Sequence, residues 1–322
     1  MKFSQILTVV IGVCVLASAM PASAATMNYK LGVQSGTTSD TYAAAELANA
    51  DVSGFDSIDL AIEALKQGDV DFVLGDLPTL KFYQADSDGL SIAGSFSEED
   101  FGIGVAPGEA DLLAAINVAL GEIIDSGEYD TIFAASFGDE IVVLTDDTDA
   151  NTATAYPAEP SGRLADVLED EELVFGTDPY YPPFESYDAD GNVVGFDADV
   201  AAAIGAKIAA AYDQNLTVTM LEKTWDDLLA FGYEDYHATL SAMTKTAQRA
   251  ENTDFSRAYY SSKQGILASA DSPTITGVGD LNGTYEVAEP VVAEEDEDDS
   301  PSLTVLASAL AIGLIAVSRR KH

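Results

Sequence analysis

The sequence predicts an α/β fold in which two lobes face each other across a cleft. Strand and helix periods alternate from about residue 28 to 287, which is typical of this fold class. Two stretches, 59–78 and 226–244, repeat one order of helix, turn, strand and polar residues after the strand. Ligands of open α/β sheets gather at the carboxyl ends of strands. The two strand ends therefore predict a cleft with one wall from each lobe.

Local patterns justify the individual elements. A helix is predicted over 57–67, because Ile58, Ile62 and Leu65 share one face and Gly68 ends it. The same criteria predict further helices over 42–47, 111–125, 197–211 and 225–231. They predict strands over 30–33, 70–74, 173–176, 216–220 and 236–240.

Composition excludes several classes of function. Among 322 residues, 55 are acidic and 14 basic, which gives a formal net charge of −41. Such a surface repels nucleic acid, so we expect no polynucleotide partner. The only cysteine, Cys14, lies in an apolar N-terminal stretch that we expect to be removed, which excludes disulfides and cysteine-based zinc sites from the mature chain. We expect no cofactor and no metal.

Both ends of the chain resemble addressing signals. Residues 1–25 read as a signal peptide, with Lys2, an apolar stretch and the small residues Ala22-Ser23-Ala24; an N-terminal anchor helix is the alternative. At the other end, an acidic linker over 288–302 precedes an apolar run over 303–317 and a basic tail over 318–322. This order predicts a C-terminal membrane anchor or a processed sorting helix, and thus an exported protein held at the cell surface. A buried C-terminal helix is the other interpretation.

A longer motif resembles a known family. The segment LVFGTDPYYPPFE at 173–185 resembles the opening strand of family 3 extracellular solute-binding proteins. Further matches are GFD at 195–197, Trp225-Asp226, SAMT at 241–244, Arg249 and DFS at 254–256. The resemblance covers residues 173–287. It implies the type II periplasmic binding protein fold and a receptor for polar amino acids that serves an ABC transporter.

The two halves of this family resemblance stand in reversed order. Residues 28–138 resemble the second half, whereas 173–287 resemble the first, with a linker over 139–172 between them. We interpret this order as a circular permutation; two chains that pair in a swapped dimer are the alternative. The resemblance then implies lobe 1 at 102–268 and lobe 2 at 28–97 plus 270–287. It puts the two hinge crossings near 98–101 and 268–270.

The resemblance also implies a site for an amino-acid zwitterion. Arg249 would bind the ligand's carboxylate through two parallel hydrogen bonds, unless it is a surface residue paired with Glu251. Thr244 and the backbone at Ser241 would add donors. Ala242 stands where the family commonly has Gly or Ser, a departure that can shift the backbone at Ser241.

The other lobe and the side-chain pocket complete the implied site. Thr37 and Thr38 would contribute from lobe 2, and Asp76 would accept the ligand's ammonium group, although Asp is also a favoured helix cap.

Three further residues would surround the ligand's side chain. Tyr181 and Trp225 would sandwich it, if they are not simply core residues. Asp178 would meet a polar or cationic tip, which favours a basic or glutamine-like amino acid.

The function implied is therefore capture of a small amino-acid-like solute by closure of two lobes, with an ABC permease as partner and without enzymatic activity. A secreted dehydratase on the same fold is one alternative; it would use Glu185 or Asp178 as acid or base. A ligand-sensing or degenerate interaction module is the other. His237, one of only two histidines, is interpreted as structural.

Overall fold

The computed structural model describes residues 25–140, 144 and 153–287. Apart from Ala25, the predicted signal peptide lies outside these residues, as do the acidic linker, the anchor and the basic tail, so those assignments stay predictions. Within the described ranges, no helix is both long enough and apolar enough to cross a membrane.

Strands and helices alternate along the described body. The strands are β1 (Ala25–Asn28), β2 (Lys30–Gln34), β3 (Asp51–Phe55), β4 (Phe72–Asp76), β5 (Leu90–Val105), β6 (Glu172–Thr177), β7 (Tyr180–Tyr181), β8 (Glu185–Tyr187), β9 (Val193–Val194), β10 (Thr217–Glu222), β11 (Ala238–Thr239), β12 (Asp254–Ser269) and β13 (Thr284–Val287). The helices are α1 (Thr38–Glu46), α2 (Ile58–Gln67), α3 (Leu77–Asp86), α4 (Ala110–Asp125), α5 (Glu128–Phe137), α6 (Gly162–Asp170), α7 (Phe196–Tyr212) and α8 (Trp225–Leu229). Short 3₁₀ helices cover Arg249–Glu251 and Val278–Asn282.

One mixed sheet of eight strands joins the two lobes, in the order β10-β6-β11-β5-β12-β4-β2-β3. In lobe 1, β10, β6 and β11 are mutually parallel, and in lobe 2, β4, β2 and β3 are mutually parallel. The predicted α/β class is confirmed. The carboxyl ends of the parallel strands in both lobes lead to one cleft, which is where such sheets bind ligands.

Two long antiparallel strands, β5 and β12, cross between the lobes. β5 pairs with β11 of lobe 1 at Gly104 and Val105, and its other end pairs with β12 inside lobe 2. The predicted crossing at 98–101 agrees with this course. The predicted crossing at 268–270 is wrong, because Gln264 to Ala268 of β12 already pair with β4 of lobe 2. The sequence signalled neither strand as continuous over 16 residues.

Each lobe has its own buried core. The core of lobe 1 contains the buried faces of α4 and α7 together with Phe101, Phe184 and Tyr260. The core of lobe 2 lies on the two faces of its strands, with Leu31 and Leu74 on one face and Ile62 and Val73 on the other. Burial of apolar surface stabilises each of these cores, and β5 and β12 run between the two lobes.

Part of the predicted linker is packed structure. Residues 139–172 were expected to hold little more than a short helix at 164–168, but α6 spans nine residues, and its Leu164 and Val167 are fully buried in the core of lobe 1. The hydroxyl of Tyr212 in α7 also donates to the carbonyl of Pro157, 2.9 Å away. The second half of this connection is therefore anchored on lobe 1.

Gly195, which begins α7, should not tolerate a side chain. Its φ is +123°, and a Cβ atom there would lie 2.5 Å from the carbonyl oxygen of Phe184. We expect Gly195→Ala to lower the free energy of unfolding by about 3 kcal/mol or more, because strain and a backbone clash act together. Urea denaturation measures this.

Gly191→Ala is the matched control for this prediction. Gly191 also has a positive φ of +83°, but no atom lies within 4 Å of its Cβ position. Its substitution should cost only the strain, about 1–2 kcal/mol. Equal losses in both variants would contradict the close approach at Gly195.

Candidate functional site

The ten residues implied by the family resemblance surround one cavity between the lobes. About 330 Å³ of empty space, part of it open to solvent, lies between its walls. Its wall contains Thr37, Thr38, Asp76, Asp178, Tyr181, Trp225, Ser241, Ala242, Thr244 and Arg249, and in addition Gln34 and Glu185. Most of these residues follow the ends of β2, β4, β6 and β11. The cavity therefore lies at the carboxyl ends of parallel strands from both lobes.

Arg249 is a buried cation on the wall of the cavity. Only 8% of its surface is exposed, so it is not the surface residue paired with Glu251 that the alternative interpretation required. One guanidinium nitrogen, Nη1, donates to the carbonyl of Thr244 (2.9 Å), and Nη2 donates to the carbonyl of Gly36 across the cleft (3.3 Å). The guanidinium also lies 5.2 Å from the centre of the Trp225 ring. Within the described residues, no carboxylate forms an ion pair with it.

Gly36 allows this contact across the cleft. Its φ is +73°, and a Cβ atom there would lie 2.7 Å from Cδ1 of Leu229 in lobe 1. A larger residue would push the lobes apart and move the carbonyl of Gly36 away from Arg249. Glycine is therefore the residue that fits this position.

Asp76 lies opposite Arg249, at the end of β4 in lobe 2. It occupies the N-cap position of α3, but its side chain makes no capping bond. Its carboxylate instead accepts bonds of 2.7 Å from the hydroxyl of Tyr181 and from Nε2 of Gln264. Burial and the nearby charge of Glu99 raise the pKa of Asp76 to about 8. A cation bound beside Asp76 would favour its charged form.

Asp178 marks the far end of the cavity and also contacts the opposite lobe. Nε2 of Gln34 donates to its carboxylate over 3.4 Å. Burial is the main cause that raises the pKa of Asp178 to about 6. Trp225 and Tyr181 line the same cavity, although the hydroxyl of Tyr181 already bonds to Asp76.

Ser241 and Ala242 are fixed from behind by two buried carboxyl groups. The hydroxyl of Ser241 donates to Oε1 of Glu185 (2.7 Å), and the backbone N–H of Ala242 donates to Oδ2 of Asp197 (2.9 Å). Asp197 also accepts from the hydroxyl of Tyr259 (3.0 Å). Ala242 has a φ of +42°, which glycine adopts more easily than alanine. The amide hydrogen of Ala242 is directed at Asp197 inside lobe 1 rather than at the cavity.

Glu185 and Asp197 form a carboxyl pair that needs a proton. Oε2 of Glu185 and Oδ1 of Asp197 are buried without a donor from the described residues. Burial raises the pKa of both carboxyl groups, and the nearby charge of Asp197 raises the pKa of Glu185 further. Two carboxylates cannot donate to each other, so one shared proton satisfies both orphaned oxygens.

The two threonines of lobe 2 have different roles. Oγ1 of Thr37 caps α1 by accepting from the N–H of Asp40 (3.3 Å). Thr38 is the first residue of α1, so its N–H has no partner within the helix. Its hydroxyl donates to Glu99 (2.9 Å), as does the hydroxyl of Thr244 (2.8 Å). In this structure both hydroxyl protons are directed at Glu99, so the expected donation from Thr244 to a ligand carboxylate would require its hydroxyl to leave Glu99.

Two cavity residues were absent from the expected site. Gln34 ends β2, so the rule that polar residues gather at strand ends would have found it. The sequence indicated Glu185 only as a possible acid or base, because a carboxyl group after two prolines and a phenylalanine gives no signal of contact with Ser241.

Outside the cavity, Phe184 is fully buried in lobe 1. Nδ1 of His237 accepts from the N–H of Val174 (2.9 Å), a structural role.

No group of three potential metal ligands occurs among the residues that the structure describes.

Comparisons with known proteins match residues 173–316 to bacterial extracellular solute-binding proteins, family 3. "ABC transporter arginine-binding protein 1" of Escherichia coli (strain K12) is 32% identical over 114 residues, which cover 35% of this chain and 44% of that relative. The "Histidine-binding periplasmic protein" of Salmonella typhimurium is 30% identical over 125 residues, 36% of this chain and 46% of that relative. The chain thus spans less than half of these relatives.

Among solved structures, the arginine-bound form of domain 1 from TmArgBP is 23% identical. The similarity covers 36% of this chain and 95% of that one, with a TM-score of 0.26.

The buried carboxyl pair predicts an unusual dependence of stability on pH. Because burial raises the pKa of Glu185 and Asp197 in the folded state, the folded protein binds more protons than the unfolded chain. Their contribution to stability is present at low pH and is lost as pH rises from about 4 towards the raised values. Glu185→Gln should reduce the slope with which the free energy of unfolding falls as pH rises, by up to about 1.4 kcal/mol per pH unit.

Urea denaturation of the ligand-free protein between pH 5 and 8 checks this expectation. The exposed Glu234 gives the control variant Glu234→Gln, whose curve should run parallel to that of the wild type. A Glu185→Gln curve that is also parallel would contradict the shared proton.

Proposed function

This chain carries a family 3 extracellular solute-binding segment at 173–316, and we propose that it is an exported receptor that captures one amino acid between its lobes and presents it to an ABC permease. The curated relatives named above are binding proteins for arginine and histidine. They support the general function, and the geometry of the cavity supports the more specific parts of the proposal.

The observation that carries the proposal is the buried charge of Arg249. Burying a guanidinium without an ion pair costs free energy, because the charge loses its hydration. A carboxylate that forms two parallel hydrogen bonds with the guanidinium offsets this cost. Two backbone carbonyls and the Trp225 ring satisfy only part of the group. The ligand's carboxylate would complete it, next to the free N–H at the start of α1, where a helix favours an anion.

The ligand's ammonium group would bind Asp76. Asp76 is buried at the end of β4 and has a pKa raised to about 8, so a nearby cation stabilises its charged form. Arg249 and Asp76 belong to opposite lobes. A zwitterion between them would therefore join the lobes through its own two charges.

The ligand's side chain would be cationic or polar. Once Arg249 and Asp76 are matched, Asp178 remains at the cavity wall, where Gln34 alone donates to its side chain over a long 3.4 Å. A guanidinium, ammonium or amide group would satisfy Asp178, whereas a second carboxylate would be repelled. We therefore propose a basic or glutamine-like amino acid, with Tyr181 and Trp225 beside its carbon chain.

Closure of the lobes would trap the ligand. Contacts that already join the lobes include Gln34 to Asp178, Tyr181 to Asp76, and Arg249 to the carbonyl of Gly36. The ion pair of Lys81 with Glu140 joins them as well. In the part of the chain that the structure describes, β5 and β12 run from one lobe to the other, so rotation about these strands would open the cavity and admit the ligand. We propose binding without chemical conversion, because each charged group of the wall has a partner in an amino acid.

Wild-type protein should bind arginine, lysine or glutamine more tightly than glutamate by isothermal titration calorimetry. Arg249→Lys should weaken binding at least 100-fold, because a lysine cannot make two parallel hydrogen bonds to a carboxylate. The matched control is Arg257→Lys, at a residue that does not line the cavity.

Tighter binding of glutamate would overturn the assignment of a basic or glutamine-like side chain to the ligand. An unchanged affinity in Arg249→Lys would overturn the site, and turnover of a prephenate-like acid would favour the dehydratase.

We also propose that the reversed order of the halves is a circular permutation within one chain. The antiparallel pair of β1 and β13 supports this, since it brings the two ends of the described body together. Light scattering after gel filtration should show a monomer that binds one ligand. A dimer that cannot bind when dissociated would favour pairing between two chains.

A further inference from the structure

Glu99 lies on the crossing strand β5, directly behind the cavity. Its Oε2 atom accepts hydrogen bonds from Oγ1 of Thr38 in lobe 2 (2.9 Å) and Oγ1 of Thr244 in lobe 1 (2.8 Å). Nε2 of Gln264, on the other crossing strand, adds a third bond of 3.1 Å. One carboxylate oxygen thus contacts both lobes and the two strands between them.

These bonds decide which way the two hydroxyl groups point. A hydroxyl has one proton to donate, and a carboxylate can only accept. Thr38 and Thr244 therefore spend their protons on Glu99, and only their lone pairs remain for the cavity. Nε2 of Gln264 also lies 3.3 Å from Oγ1 of Thr38, but its two protons serve the closer oxygens of Asp76 (2.7 Å) and Glu99 (3.1 Å). Both hydroxyls face a ligand as acceptors.

Glu99 does not line the cavity, whereas Thr38, Thr244 and Arg249 do. It lines a neighbouring groove together with Thr38 and Arg249. Arg249 bonds to two backbone carbonyls, and no ion pair with Glu99 is present within the described chain. A carboxylate bound in the ligand's place would pair with that guanidinium.

We propose that Glu99 is a specificity-determining residue that turns the hydroxyls of Thr38 and Thr244 into acceptors for the ligand's α-ammonium group. With Asp76, they form an acceptor set drawn from both lobes, and recognition of the carboxylate is left to Arg249 and backbone N–H groups. This inference rests on the proposed function, because it requires an amino acid in the cavity. It predicts that the site selects for the α-ammonium group of its ligand.

The test compares two probes, L-arginine and 5-guanidinopentanoate, which has the same carboxylate and guanidinium but no α-ammonium group. Titration calorimetry gives the ratio of their affinities for wild type, Glu99→Ala and Glu99→Gln. Glu98→Gln is the matched control, because Glu98 is the neighbouring residue, its side chain is 81% exposed and it pairs only with Lys263 at the surface.

Glu99→Ala should reduce the preference for L-arginine at least tenfold, with binding of 5-guanidinopentanoate changed less than about threefold. Glu99→Gln keeps an acceptor oxygen, so its ratio should lie closer to that of the wild type, and Glu98→Gln should match the wild type. An unchanged ratio in Glu99→Ala, or tighter binding of both probes, overturns this inference alone. Wild-type protein that binds neither probe overturns the proposed function and this inference with it. Circular dichroism confirms that each variant is folded.

Discussion

The antiparallel pairing of β5 with β12 holds the rest of the molecule in place. These strands pair from Leu90 to Val105 and are the central pair of the eight-stranded sheet. On each side of them lies a set of three parallel strands, one set per lobe. Because both sets end at the same cleft, the side chains that follow their last residues meet there. Phe101 and Tyr260 of this pair also belong to the core of lobe 1, so breaking the pair would disturb that core as well as the cavity.

The same two strands are the basis for proposing a site that is held precisely and can still open. Backbone hydrogen bonds fix the register of β5 and β12, so Glu99 and Gln264 are held between the lobes at defined positions. The contacts across the cleft, by contrast, are side-chain bonds such as that from Tyr181 to Asp76. Such bonds contribute little net energy each. A hinge motion can exchange them for bonds to a ligand without disturbing either core.

The charged side chains of the cavity wall are arranged so that a ligand with complementary charges could pair with them. Arg249 is the buried cation of the wall, and Asp76 and Asp178 are carboxyl groups whose pKa burial raises. Behind them, Glu185 and Asp197 hold Ser241 and Ala242 by sharing a proton rather than by exposing charge to the cavity. The wall therefore offers one anion partner and two cation partners, which is the basis for proposing a basic or glutamine-like amino acid as the ligand.

The sequence by itself determined the α/β class and most helices, because these depend on local periodicity. Its resemblance to a known family indicated ten of the twelve residues of the cavity wall. It did not predict β5, since Ser97, Glu98, Glu99 and Asp100 form a charged run that reads as a loop. The predicted strand at 236–240 is only Ala238–Thr239 in the structure, although the N–H groups of His237 and Leu240 also donate to carbonyls of β6. Only the tertiary structure decided that Thr38 and Thr244 point their hydroxyls at Glu99. Residues 38, 99 and 244 are far apart in the chain, and the sheet brings them within one hydrogen bond of each other.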